Sequence, residues 1–278
     1  MSGKVYLVGA GPGDPELLTL KAARILAGAD VVLYDALVSR EVLEMVSRDA
    51  AMIDVGKRAG KKLLTQDEIN SLLVNYATTN DVIVRLKGGD PLLFGRAGEE
   101  IGALRKAGVE FEIVPGITAA VGAAAGAQIS LTDRRVASQV LFTTFSRGET
   151  GSRGDNGHFS DGGFNWAAVT PETTVAIYMP GTNYGEVAAR LTENGLSPET
   201  PCVVVSQATR AEQKVRWSNI AALASEELLP APSILIVGRV AAQSVGNQAV
   251  EGFRACLSPE IFQSGSPSEL GNAMRKKN

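Results

Sequence analysis

Histidine and cysteine are nearly missing from this sequence: 278 residues contain one histidine and two cysteines. A zinc site, an iron–sulfur cluster or a disulfide framework therefore has almost nothing to be built from. Chemistry must run on carboxylates, lysine, hydroxyls and backbone groups, and no metal site is expected. Aromatic residues are also thin, at 5%, and neither sign of charge dominates, with 27 Lys plus Arg against 30 Asp plus Glu and a formal net charge of −3. A general nucleic-acid binder needs a basic excess that this chain lacks. One uncharged run, Ile113 to Thr132, has about the length of a membrane span and contains the small-residue pattern Gly122-Ala-Ala-Ala-Gly126. It is poor in large apolar side chains, so a close-packed loop and helix is the expectation and no membrane association is predicted. Met1-Ser2-Gly3-Lys4 leads directly into a strand-like segment with no charged-then-apolar leader. Together with the low cysteine count, this points to the reducing cytoplasm.

What the sequence does have is 45% hydrophobic residues and 30 glycines, an ordinary globular composition tilted towards glycine. Val5-Tyr-Leu-Val8 reads as a strand ending in the turn-forming run Gly9-Ala-Gly-Pro-Gly-Asp14. Leu18, Ala22, Ile25, Leu26 and Ala29 form the apolar stripe of a helix, and Val31-Val-Leu-Tyr34 is a second strand ending at Asp35. Strand, helix, strand is the unit of a parallel sheet. Thr65-Gln-Asp-Glu68 is a capping box ahead of the helical face Ile69, Leu72, Leu73 and Tyr76. Val82–Leu86 and Phe111–Val114 read as strands flanking a helix at Glu99–Lys106. Beyond Pro115-Gly116 come a small-residue helix, strands at Ser138–Thr144, Thr174–Met179, Cys202–Ser206 and Ile234–Val237, and a helix at Glu186–Glu193. The aperiodic, Gly/Ser/Asp-rich stretch Arg147–Asn165, which holds His158, reads as a surface loop. The polar chain after Gln243 reads as a loosely attached tail. The expected organisation is α/β in two lobes, 1–115 and 116–242, with a tail over 243–278.

In an open α/β sheet ligands bind just past the carboxyl ends of the strands. There the sequence places Gly9–Asp14, Asp35, Gly88-Gly89-Asp90 and Pro115-Gly-Ile-Thr118-Ala119. If those strands are parallel, the four loops share one edge and supply two carboxylates, backbone N–H groups and a hydroxyl, a site for a polar, ribose-bearing ligand. A nicotinamide dinucleotide is the rival reading. The turn reads G-A-G-P-G-D rather than G-x-G-x-x-G, however, and Pro12 removes an N–H where a pyrophosphate needs one. A tight turn that uses glycine for geometry alone also stays open.

The run Val8-Gly-Ala-Gly-Pro-Gly-Asp-Pro-Glu-Leu-Leu-Thr-Leu-Lys-Ala-Ala23, followed by Ala29–Asp35, Gly56-Lys-Arg58, Arg85–Pro91, Phe94-Gly-Arg96, Glu99-Glu100, Val114–Ala119 and Ile177-Tyr-Met179, resembles the tetrapyrrole methylases over roughly Lys4 to Ala241. Within that family it looks most like the branch that methylates uroporphyrinogen III. The resemblance implies a two-lobed tetrapyrrole methylase fold with the active site in the cleft between lobes, a homodimer, and S-adenosylmethionine as cofactor. It implies methylation of uroporphyrinogen III at C2 and C7, giving precorrin-2 for sirohaem, cobalamin or haem d1. By motif position it implies cofactor contacts from Pro12, Gly88, Gly89, Asp90, Leu93, Thr118, Ala119, Met179 and Ala208, a proton acceptor at Asp35 and a proton donor at Lys57. The chemistry is consistent with this, since aligning a pyrrole carbon and removing a proton need neither metal nor histidine. Asp35 also reads as a turn carboxylate, and Lys57 as one of a solvated basic loop reaching Lys62.

Uroporphyrinogen carries eight carboxylates, so a chain of net charge −3 must bind it through local cations. Arg85, Arg96, Arg134 and the basic loop are the candidates. Three departures from the family pattern cluster in the second half: Thr132-Asp133-Arg134 in place of Thr-His-Arg, Thr144-Phe145-Ser146 in place of Thr-Gly-His, and Ala208 in place of glycine. They bear on substrate, leaving a later corrinoid intermediate or a cofactor-binding relative without turnover as alternatives.

Overall fold

The computed structural model describes residues 3–56, 64–145, 168–181 and 184–244. Two five-stranded sheets organise it. The first has strands β1 (Lys4–Gly9), β2 (Val31–Tyr34), β3 (Ala51–Asp54), β4 (Val82–Lys87) and β5 (Glu110–Val114). Its spatial order is β3-β2-β4-β1-β5 and every pairing is parallel. The four loops read as ligand-binding from the sequence therefore do leave the same edge.

Helix α1 (Leu20–Ala27), the short α2 (Arg40–Leu43), α3 (Gln66–Tyr76) and α4 (Ala97–Ala107) are the crossovers. Period-two alternation sends Val8, Val32, Val84 and Leu86 to one face of the sheet against Ala22, Ile25 and Leu26 of α1. The other face puts Val5, Leu7, Leu33 and Ile83 against Ile69 and Leu73 of α3 and Leu104 of α4. The expected capping box forms reciprocally: Thr65 Oγ1 accepts the Glu68 N–H at 3.2 Å and Glu68 accepts the Thr65 N–H at 2.7 Å.

The second sheet contains β6 (Gln139–Thr144), β7 (Thr173–Tyr178), β8 (Pro201–Ser206), β9 (Lys214–Asn219) and β10 (Ser233–Val237) in the order β6-β7-β10-β8-β9. Only β6 and β7 pair in parallel; the other three pairings are antiparallel. Helix α5 (Ala119–Gly126) covers one face with alanines, Ala120, Ala123 and Ala124, against Ala176, Val203, Val205 and Ile236. Helix α6 (Tyr184–Glu193) and the short α7 (Ile220–Leu223) cover the other. The uncharged run at 113–132 thus resolves into a strand end, a loop and an eight-residue helix. Among the described residues no helix is long and apolar enough to cross a membrane.

Strand β9, with Lys214, Arg216 and Ser218 interleaved, and the short β3 were not anticipated from the sequence. Both lie at sheet edges, where a full apolar face is not required. The expected loop at Arg147–Asn165 lies outside the described residues, as does the expected tail beyond Ser244, where a 3-10 helix over Arg239–Ser244 ends.

Two consequences can be measured. A Cβ on Gly116 would sit 2.3 Å from the Gly89 carbonyl oxygen, whereas one on Gly102, on the exposed side of α4, would meet nothing within 4 Å. Gly116→Ala is expected to lower unfolding free energy by about 1–3 kcal/mol, and Gly102→Ala to raise it by about 0.5–1 kcal/mol, as read by urea denaturation. Burial, with a contribution from Glu226, pushes the Cys202 thiol up to about 12. In the unfolded chain it ionises near about 8.5, so the folded state holds more protons between those values and stability falls as pH rises through that window. Cys202→Ala should make the loss of stability between about pH 7 and about pH 10 shallower, by about 1 kcal/mol per pH unit above 8.5; an unchanged slope counts against it.

Candidate active site

At the carboxyl edge of the parallel sheet, the loops after β1, β4 and β5 are held against one another by backbone. Gly11 and Gly89 exchange hydrogen bonds, Gly11 N–H to Gly89 O at 3.1 Å and Gly89 N–H to Gly11 O at 2.8 Å, and Ala10 N–H reaches Lys87 O at 2.7 Å. A Cβ on Gly9 would lie 2.6 Å from Gly116 Cα, so the strand ends approach more closely than any side chain permits. Asp90 ties the third loop in: its Oδ1 accepts the Leu92 N–H at 2.8 Å and its Oδ2 the Gly116 N–H at 3.0 Å. A carboxylate has about four acceptor positions, so two remain for a ligand.

Residues of the second sheet meet this edge directly. Thr209 Oγ1 accepts the Asp14 N–H at 3.1 Å, and Arg210 Nη2 donates to Leu37 O at 2.5 Å. Pro12 is buried, and a Cβ on Gly122 of α5 would stand 2.7 Å from its ring. The hydroxyls of Thr118 and Tyr178 are hydrogen-bonded, and Tyr178 Oη also accepts the Ala120 N–H at 3.3 Å. Thr118 occupies the N-cap position of α5 without a side-chain capping bond, so the tyrosine of β7 satisfies the helix end instead. Burial raises the Tyr178 phenol above its ordinary range, and the nearby Asp90 charge acts in the same sense. The Phe94 ring lies 4.9 Å from that of Tyr178.

Backbone strain gathers in the same loops. Six non-glycine residues among those described have positive φ, and five of them, Phe94, Arg96, Met179, Gln207 and Thr209, follow β4, β7 and β8. Such conformations cost free energy and concentrate where a site requires them. Leu37, Leu92, Phe94 and Met179 are at the same time large apolar side chains left exposed.

Asp35 directly follows β2 and is the partly exposed member of a charged cluster. Its Oδ1 accepts from Arg85 Nη2 at 2.5 Å, and Arg85 Nε donates to Glu100 at 2.9 Å. Lys87 Nζ reaches both Glu100 oxygens, at 3.0 and 3.1 Å. Arg85 is 2% exposed, which corrects the expectation that it faces a substrate: its guanidinium is turned inward and committed to two carboxylates and two carbonyls. Its charge holds Asp35 in place rather than meeting a ligand.

The loops therefore bring Pro12, Asp35, Gly88, Gly89, Asp90, Thr118 and Ala119 to one edge. Leu93 is half-buried, and Met179 and Ala208 lie on the loops after β7 and β8. Ala208, which departs from glycine, is buried and belongs to the same apolar cluster as α5 and β7. Arg96 is exposed and paired with Glu99 at 2.7 and 2.8 Å, and Arg134 is exposed. Asp133 accepts from the Arg135 backbone and guanidinium at 2.7–3.0 Å and closes the turn to Ala137. Lys57, Ser146 and His158 lie outside the described residues. The sequence reading missed Glu100, Lys87 and Tyr178. Two were within reach of pattern: Glu100 interrupts the buried stripe Ala97, Glu100, Leu104 of α4, and Arg85 and Lys87 stand two apart on a strand with both side chains buried.

The tetrapyrrole (corrin/porphyrin) methylase family model matches residues 4–224. A plant protein named S-adenosyl-L-methionine-dependent uroporphyrinogen III methyltransferase, chloroplastic, from Arabidopsis thaliana, is 44% identical over 246 residues, covering 86% of this chain and 63% of that protein. A siroheme synthase from Pseudoalteromonas atlantica is 46% identical over 244 residues. The match takes in 86% of this chain but 50% of the synthase, so the chain spans about half the length of such relatives. Among solved structures, the uroporphyrin-III C-methyl transferase of Thermus thermophilus, complexed with S-adenosyl homocysteine, superposes with a TM-score of 0.72 at 34% identity, covering 87% of this chain and 100% of that one.

Tyr178→Phe removes the only oxygen on β7 that serves both Thr118 and the α5 amide. Thermal unfolding should show a loss of about 1–3 kcal/mol, and an unchanged midpoint would show that water replaces the hydroxyl without cost.

Proposed function

The chain belongs to the tetrapyrrole methylase family, and from that premise we propose that it binds S-adenosylmethionine and methylates uroporphyrinogen III at C2 and C7, forming precorrin-2. The lobes are assigned as 1–115 and 116–242, with the site between them. The observation that carries the reading is the convergence of the loops after β1, β4 and β5 on Asp90, beside an Asp35 that has one oxygen fixed by Arg85. When bound, S-adenosylmethionine supplies a methyl group on a positively charged sulfur, an electrophile that needs no metal.

The residues present fit that group. Asp90 keeps acceptor capacity for ribose hydroxyls after its two amide bonds. Met179 and Leu93 offer apolar surface, and the glycine backbones at 88 and 89 leave room for close approach. Leu37, Leu92 and Phe94 add exposed apolar area suited to a flat macrocycle. Arg96 and Arg134 remain as exposed cations for the substrate's carboxylates; for Arg96 this means exchange with Glu99. Arg85 is no longer part of that surface.

Asp35 is assigned the proton-accepting role. Arg85 occupies its Oδ1, and Oδ2 has no hydrogen-bond partner among the described residues, so that oxygen is the one available to take a proton once the new carbon–carbon bond has formed. Lys57 stays in the proposal as proton donor on the resemblance alone. The homodimer rests on the same resemblance, and a cytoplasmic setting on the low cysteine count; the plant relative is named as chloroplastic.

Anaerobic incubation with uroporphyrinogen III and methyl-labelled S-adenosylmethionine should place two labelled methyls on each tetrapyrrole. No incorporation, with the methyl donor still bound, would favour a later corrinoid as substrate. Asp35→Asn should lower turnover by about 10²–10⁴-fold while leaving binding of S-adenosylmethionine within about twofold; undiminished turnover would remove Asp35 from the mechanism.

A further inference from the structure

The buried side of β4 and α4 holds three charges for which methyl-donor binding has no use. Glu100 is 0% exposed, Arg85 2% and Lys87 3%. A cluster of this kind contributes little to folding that well-packed apolar residues could not, because desolvating the ions offsets most of their attraction. Its geometry has a direction. Lys87 Nζ fixes both oxygens of Glu100, with Gln66 Nε2 at 3.4 Å on one of them. Glu100 then fixes Arg85 through Nε, the Leu33 and Leu86 carbonyls hold Nη1 at 3.3 and 3.2 Å, and Nη2 is left pointing at Asp35. Asp35, with 29% of its side chain exposed, is where the chain of contacts reaches the surface.

We propose that Glu100 and Lys87 are positioning residues for Asp35, acting through Arg85. Glu100 locks the guanidinium in the orientation that holds Oδ1 and presents Oδ2. With Lys87 it also fixes the charge that Asp35 faces: two cations and one anion, a net of one positive charge. This rests on the reading of Asp35 as the proton acceptor. Burial lowers Lys87 from its usual range, with repulsion from Arg85 adding, while the Glu100 charge works the other way. The other titratable groups near the cluster are Tyr34 of β2, Asp54 of β3, Asp90 after β4 and, on α4 itself, Glu99, which feels the Lys87 charge and pairs with Arg96; α3 faces Glu100 with the neutral Gln66. The basic residues of 57–63 lie outside the described residues and are unchanged in every variant below.

The test is the pH dependence of kcat at saturating substrate, read on the full chain after circular dichroism shows each variant folded. Glu100→Gln leaves Asp35 facing two positive charges and should move the acid limb down by about 0.5–1 pH unit; Lys87→Met leaves it facing none and should move the limb up by a similar amount. The double variant Glu100→Gln/Lys87→Met restores the net charge and should return the limb to within about 0.2 unit of the wild type. A packing role gives no reason for shifts of opposite sign that cancel, so unmoved limbs or shifts in one direction would overturn the proposal.

Glu100→Asp, which keeps the charge but shortens the reach to Arg85, covers the case in which one of these variants does not fold. It should lower kcat about tenfold or more with the KM for S-adenosylmethionine unchanged; wild-type kcat in that variant overturns the positioning role. Asp35→Asn separates the two levels: if it retains turnover the assignment of Asp35 falls, whereas an inactive Asp35→Asn with unmoved limbs rejects only the role of Glu100 and Lys87.

Discussion

Gly9, Gly89 and Gly116 end or follow three neighbouring strands of a parallel sheet, and their backbones touch where a side chain would otherwise stand. That contact is the constraint from which the rest of the site follows. It lets the loops after β1 and β4 exchange hydrogen bonds through Gly11 and Gly89, and it brings the Gly116 amide within reach of Asp90. The chain then leaves the first sheet at Pro115 and starts α5 on the second. The same close approach that shapes the edge therefore also fixes where the second sheet begins.

The second sheet is held to this edge by few but specific contacts. Pro12 packs on Gly122, Thr209 accepts from Asp14, Arg210 reaches the Leu37 carbonyl, and Tyr178 caps α5 from β7. The first three link a loop at the carboxyl edge of the first sheet to a loop or helix of the second, and Tyr178 also bonds Thr118 on the loop that leaves β5. The residues of positive φ Met179, Gln207 and Thr209 sit in the loops after β7 and β8, and one of them, Thr209, makes the contact to Asp14.

Much of this was legible in the sequence, and the reasons differ by element. The parallel strands announced themselves because both faces are buried, giving near-continuous apolar runs such as Val31–Tyr34. The start of α3 was fixed by the capping box. The loops past the strands were readable because they are rich in glycine, proline and aspartate, the residues of sharp turns. Strand β9 was not, since Lys214-Val-Arg-Trp-Ser-Asn219 carries no such run, and Arg85 was misplaced because an arginine in a strand reads the same whether it faces out or in. What distinguishes the two is the partner, Glu100, fifteen residues on and in a different element. Pairings at that range leave only a faint trace in one sequence: a charge standing in a stripe that should be apolar.

The scarcity of histidine gives the buried charges their meaning. With imidazole absent from the described edge, the proposed proton transfer rests on a carboxylate, and the arginine beside it holds that carboxylate in one orientation. Burying Arg85 against Asp35 alone would leave the Nε edge of the guanidinium without an anionic partner. A second carboxylate behind the arginine supplies one: Glu100 accepts from Nε, and Lys87 Nζ holds both Glu100 oxygens. The cluster is thus an arrangement in which the orientation of Asp35 is set by hydrogen bonds that run back to charges buried away from the surface. A lone aspartate in a turn would have no such backing.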